Sequence, residues 1–141
     1  MSMGFREITQ IAGSAMTAQS TRLNAIASNL ANANSAASSE QEAYKARKPV
    51  FAAVMGESSL SSYASRVQVL DVLETTEPVR KVYEPENPVA DASGHVYYSN
   101  VNSVAEMTDM MSASRAFETN VDVLSRVRSM QQSLLRLGEQ G

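Results

Sequence analysis

The sequence predicts an α+β fold: two long terminal helices paired as an antiparallel, coiled-coil-like hairpin, with a small β-rich insert between them. Three observations carry this. Apolar residues recur every three or four positions over some thirty residues at each end. All four prolines, at 49, 78, 85 and 88, fall between those ends. The same middle stretch is rich in valine alternating with polar residues, the period of a strand. The expected divisions are 1–34 for the first helix, 35–102 for the linker and insert, and 103–141 for the second helix.

The first helix is expected over 3–34. No proline interrupts it, and Ile8, Ala12, Ala15, Leu23, Ile26 and Leu30 fall at helical spacing. Ile8 to Gln19, Ala12 to Leu23, Ala15 to Ile26 and Gln19 to Leu30 are each eleven apart, a repeat that keeps a helix nearly straight. Such a rod would run roughly 45–50 Å. Asn32, Asn34 and Ser35 supply the stop, because short polar side chains compete for backbone hydrogen bonds. Residues 35–47 read as a polar linker ending in an edge strand. Short strands are expected around Val67–Val69, Val79, Val82–Tyr83 and Val96–Tyr98, the last after a turn at Asp91–Gly94. E-P-E-N-P at 84–88 cannot be helical, since each proline holds its predecessor extended.

The second helix is expected over 103–137 and to match the first in length. Ser103 and Glu106 fit a capping box. Acidic Glu106 and Asp109 come early, and Arg126, Arg128 and Arg136 late, as the helix dipole favours. Met110, Ala113, Phe117, Val121, Leu124, Val127, Met130, Leu134 and Leu137 make the stripe, and Gly138 is the expected stop.

Composition narrows the function. The 141 residues carry a net charge of −3 without blocks of either sign, so no basic footprint for nucleic acid is present. There is no cysteine and one histidine, which excludes thiol chemistry, disulfides and a multi-histidine metal site within one chain. No apolar run is long enough to span a bilayer, and M-S-M-G-F-R-E-I-T-Q lacks the plan of a secretory signal peptide. No G-x-S-x-G elbow accompanies His95 and Asp91, and Glu86 with Asp91 lacks the spacing of a calcium loop. His95 reads as a turn residue. Neither an enzyme nor a cofactor is expected. Ala, Ser and Asn make a third of the chain, which favours close backbone approach over one large core.

Both helices also carry apolar or small residues off the main stripe, among them Ile11, Ala18, Ala27, Met107, Met111 and Ala116. A slightly greasy bundle explains them, and so does packing against other subunits. Asn29 and Asn120 stand on otherwise packing helices. Each is either solvated or a buried amide that fixes register, as a core asparagine does in coiled coils.

I-A-G-S-A-M-T-A-Q-S-T-R-L-N at 11–24 and A-S-N-L-A-N-A-N-S at 27–35 resemble the N-terminal motif of the bacterial flagellar rod, hook and hook-associated axial proteins. M-S-A-S-R-A-F-E-T-N-V-D-V-L at 111–124 resembles their C-terminal motif. The stretches at 82–96 and 99–107 are similar to those of proximal-rod members. The Ser/Ala-rich linker at 35–43 departs from a usual Gly/Pro turn. Ser99 and Asn102 stand where Pro and Asp are usual, and Phe117-Glu118 where Tyr-Gln is.

The resemblance implies a structural subunit that polymerises helically with copies of itself and with other proximal and distal rod proteins. The rod would cross the periplasm, transmit torque and line the export channel. It would meet the membrane-ring adaptor at the base, after export without a cleaved signal peptide through the flagellar type III apparatus. No nucleic acid and no direct membrane insertion are implied. The residues expected at intersubunit packing are Ile8, Ile11, Ala12, Ala15, Leu23, Ile26 and Leu30, with Met110, Ala113, Phe117, Val121, Leu124, Val127 and Leu134. Asn29 and Asn120 are the candidates for polar register. The competing readings are a soluble helical export adaptor or secreted binding module and, last, a hydrolase built on the insert.

Overall fold

The computed structural model describes residues 4–55 and 65–140. Helix α1 spans Phe5–Ala31. The expected start at residue 3 lies outside the described residues, and the end comes three residues early. Glu7 reaches back so that its carboxylate accepts the Gly4 backbone N–H at 3.2 Å, which satisfies one orphan donor of the first turn. At the other end Asn32 turns its amide onto the Ser28 carbonyl at 2.9 Å. That bond competes with further helix, and the chain leaves in a turn.

Strand β1, Ala36–Ala37, is two residues long. Strands β2, Arg47–Met55, and β3, Ser65–Glu74, form an antiparallel hairpin from Arg47↔Glu74 to Met55↔Ser65. The register slips once, between Val50 and Phe51, where Leu70 is the extra residue of β3. Strand begins at Arg47, where the linker is expected to end in one, but the strand that continues through Pro49 to Met55 is not among those expected. The hairpin lies along α1, and the Val67 N–H donates to Ser14 Oγ at 3.2 Å. Strands β4, Arg80–Tyr83, and β5, His95–Tyr98, complete a three-stranded antiparallel sheet in the order β1-β5-β4. Gly94 turns the chain into β5 at φ +82°; a Cβ there would stand 2.9 Å from the Tyr83 ring and 3.1 Å from Pro85. Only glycine fits both the conformation and the space.

Helix α2 spans Ser103–Gln140, 38 residues against 27 in α1, so the expected match in length fails. Gly138 does not end it. A C-terminal glycine acts by taking a left-handed turn, and among the described residues only Gly94 has a positive φ. The capping box is displaced as well. Asn102 is the cap, accepting the Ala105 N–H on Oδ1 at 3.2 Å while its carbonyl takes the Glu106 N–H at 3.0 Å. Ser103 is therefore the first helical residue, and Glu106 stands one position too late to reach back.

The two helices pack on one another, antiparallel. Ser99 Oγ donates to the Ala33 carbonyl at 2.7 Å, and Arg22 pairs with Asp109 at 3.6 Å. Descending eleven residues on the α1 side thus matches ascending ten on the other. At that pitch Phe5 faces about residue 124, and the rest of α2 projects past the start of α1. Val127 is the last buried residue of α2. Among the described residues, seven of the ten buried apolar ones, Ala12 and Ala113 included, are alanine. The core is therefore a close approach of backbones, as the composition suggested.

Candidate assembly surface

What the chain fastens inside itself defines what it leaves for others. Asn29 is 1% exposed, yet it sits on no helix–helix seam that its bonds would register. Its Nδ2 donates to the Arg47 carbonyl at 3.0 Å and its Oδ1 accepts the Arg47 N–H at 2.9 Å, so the amide docks on one residue's backbone like a neighbouring strand. Tyr44 donates its hydroxyl hydrogen to the same Oδ1 at 2.9 Å, which leaves Ser28 as the donor to the Tyr44 oxygen at 2.9 Å. The Arg47 guanidinium lies 5.8 Å from the Tyr44 ring. This cluster ties the end of α1 to the start of β2. Asn120 differs: it is half-buried and donates back to Ala116 O, one turn earlier in its own helix, at 2.8 Å.

The expected packing residues divide by burial. Ala12, Ile26, Ala113 and Val127 are buried. Ile8, Ile11, Ala15, Leu23, Leu30, Met110, Phe117 and Leu124 are half-buried, and Val121 and Leu134 are exposed. Off-stripe Ala18 is buried within the chain, in a crevice shared with Val67 and Val69 of β3. Off-stripe Met107, Met111 and Ala27 are exposed.

Apolar exposure concentrates in two places. On α2, Val104, Met107 and Met111 make one uncovered line, and Met130, Leu134, Leu135 and Leu137 another. Every residue from 128 to 140 is exposed, with Leu135 at 69%. On the hairpin, Val54, Met55, Leu70, Val72 and Leu73 are exposed. Contiguous exposed apolar residues of this kind mark a surface suited to interaction. No helix of the described residues is long and apolar enough to cross a membrane.

Residues that sequence reasoning missed hold the insert in place. Asn100 accepts the Ala46 N–H at 2.7 Å and donates to Thr75 Oγ1 at 2.9 Å and to the Glu77 carbonyl at 2.8 Å. Ser99, fully buried, satisfies the Ala33 carbonyl. These bonds join residues 23 to 66 positions apart, so no local pattern announces them. Beside the sheet, the Glu84 carboxylate accepts the Tyr98 hydroxyl at 2.8 Å and the Asn87 amide at 3.0 Å; the amide first, then the phenol, holds the Glu84 carboxyl below its ordinary range. The Glu84 bond in turn raises Tyr98. Asp91 is likewise lowered, first by the His95 backbone N–H at 2.8 Å, against burial pulling the other way. His95 packs edge-on to Tyr83 at 5.3 Å. Among the described residues no group of His, Asp and Glu is arranged to hold a metal ion.

Known proteins match this chain along nearly its whole length. Residues 10–43 match the family described as flagella basal body rod protein, and residues 92–137 that described as flagellar basal body rod FlgEFG protein C-terminal. The flagellar basal-body rod protein FlgC of Escherichia coli O6:H1 is 46% identical over 137 residues, covering 97% of this chain and all of the relative. That of Salmonella typhimurium is 44% identical with the same coverage. That of Bacillus subtilis is 32% identical over 143 residues, 92% of this chain and 95% of the relative.

Proposed function

We propose, from the premise that this chain belongs to the FlgC family of flagellar basal-body rod proteins and is a structural subunit of the flagellar rod, that its terminal helices polymerise helically as the inner layer of a proximal rod. In this reading 1–34 and 103–141 pair in coiled-coil-like fashion and meet the same helices of neighbours, while 35–102 lies outside them. The polymer crosses the periplasm, transmits torque, lines the export channel and abuts the membrane-ring adaptor at its base. The subunit reaches it through the flagellar type III apparatus. It works by packing, with no catalytic step.

One observation carries the proposal: α2 runs past the start of α1 with Leu134, Leu135 and Leu137 in the open. A lone chain has no reason to extend a leucine-bearing helix into water. A leucine taken from water to a packed seam contributes about 1.5–3 kcal/mol, and a polymer supplies that seam. The candidate packing residues follow the same logic, with the half-buried set, such as Leu23 and Phe117, completed by neighbours.

Replacing Leu134 and Leu137 together by serine tests it. The purified variant is expected to unfold within about 0.5 kcal/mol of the parent. Its recovery in isolated basal bodies, measured by immunoblot in a strain lacking the native subunit, is expected to fall at least about tenfold. Recovery at the parental level would place the projecting turns on solvent and remove them from the interface.

A further inference from the structure

Helix α2 leaves an apolar line uncovered near each of its ends. At its head Val104, Met107 and Met111 are 74%, 56% and 60% exposed; at its tail Met130, Leu134 and Leu137 are 54%, 53% and 66% exposed. Each line covers two turns in steps of three and four, the spacing by which one helix seats on another. Leu134 stands two turns beyond buried Val127 on the same side, so the tail line carries on where burial within the chain stops.

The two lines do not share a side of the helix. Met107 and Met130, like Met111 and Leu134, are twenty-three residues apart, six whole turns and roughly 140° more. Two copies related by a two-fold axis therefore cannot bury both lines in one straight seam. Charge separates the ends as well. From 103 to 122 the helix carries Glu106, Asp109, Glu118 and Asp122 against Arg115 alone, and Arg22 answers only Asp109. From 126 onward it carries Arg126, Arg128 and Arg136 against Glu139 alone. Tail on tail sets arginines against arginines, and head on head sets carboxylates against carboxylates. Tail on head brings opposite signs together.

We propose that the tail of α2 in one rod subunit seats on the head of α2 in a second copy of this chain. The inference rests on the rod-subunit reading and names the partner of the projecting turns. Its register follows from the lines themselves. The step of four from Met107 to Met111 repeats from Met130 to Leu134, so a displacement of twenty-three residues, roughly 34 Å, brings Met130 beside Met107 and Leu134 beside Met111 with the helices parallel. Such a contact joins two different patches. It leaves a free head at one end of the pair and a free tail at the other, so it extends and does not close.

A chain without cysteine makes the test direct. With Met111→Cys and Leu134→Cys in one chain, the two thiols stand roughly 34 Å apart on a single helix. A disulfide needs Cα atoms within about 7 Å, so any bridge joins two copies. Basal bodies isolated from a strain lacking the native subunit and treated with an oxidant are expected to give a ladder of dimer, trimer and higher species on a non-reducing gel. Each single-cysteine chain is expected to give at least about tenfold less dimer. Met107→Cys with Met130→Cys, the other pair at the same displacement, is expected to give the same ladder. Strong dimer from either single variant would mean that like ends meet, and would overturn the proposal. So would the absence of bridges from both pairs in basal bodies that contain the subunit. Failure of the cysteine-free parent to enter basal bodies would sink the rod-subunit reading itself, and the proposal with it.

Discussion

The two helices are built to opposite plans. Helix α1 is held by polar bonds from every part of the insert it meets: Ser14 to β3, Ser28 and Asn29 to Tyr44 and Arg47, and the turn after it, at Ala33, to Ser99. Among the described residues, helix α2 is fastened by polar bonds at its beginning and by one ion pair to α1, and otherwise packs along one face. Of its 38 residues only Glu106, Ala113 and Val127 are buried. The difference teaches that burial within one chain and amphipathic pattern are separate quantities. Helix α1 belongs to the subunit's own core. Helix α2 carries a stripe longer than its own chain can cover.

The contrast breaks most sharply at Asn29. Asn29→Ala leaves the Arg47 N–H and carbonyl and the Tyr44 hydroxyl without their partner in a buried place. Each orphaned group costs about 1–3 kcal/mol, so a loss of roughly 2–5 kcal/mol is expected after relaxation, read by urea unfolding of the purified chain. A loss under about 1 kcal/mol would show that water replaces the amide freely and that α1 is not pinned there.

Acid should act next, and on the sheet rather than on the helices. The Glu84 and Asp91 carboxyls are held below their ordinary values in the fold. A group lowered in this way adds stability that is fully present above its unfolded value. That stability is lost as pH falls through the lower folded value, which places the change below about pH 4. Tyr97 and Tyr98 bond to these carboxylates, so the near-ultraviolet circular dichroism of the tyrosines should fade as pH falls below about 4, before the helical signal does. Helical loss first would reverse the comparison.

The smallest effect is expected at the other asparagine. Asn120 bonds only to its own helix, and alanine is the better helix former. Asn120→Ala should therefore leave the unfolding free energy within about 0.5 kcal/mol. A loss as large as that of Asn29→Ala would give α2 an internal anchor that its hydrogen bonds do not show.

These particulars explain what the sequence made legible. Helix α2 was readable because its apolar period persists through the whole element, and period is a local property. Its cap was misplaced by one residue because Ser103 and Asn102 are both good caps; the choice fell to the carbonyl that accepts Glu106. Gly138 looked like a stop only because the left-handed turn it would need was assumed. Strand β2 was hidden by Pro49 and by two adjacent alanines that blur alternation. Asn100 and Ser99 were invisible, since an amide that clamps Ala46, Thr75 and Glu77 depends on partners brought near by the fold. Its place as a polar residue on an otherwise packing helix marked Asn29 as a residue of interest, but not its partner, which is a backbone eighteen residues away.

That spacing has a kinetic meaning. The Asn29–Arg47 clasp closes a loop of eighteen residues, whereas the Ser99–Ala33 bond that seats α2 closes one of sixty-six. Loop entropy rises with the logarithm of length, so the later closure is dearer by about 1.1 kcal/mol before any contact repays it. A chain emerging from its N-terminus can therefore lock α1 to the first hairpin strand as soon as Arg47 is out, long before α2 exists. The second helix joins a scaffold already made, and it arrives with its uncovered leucines last.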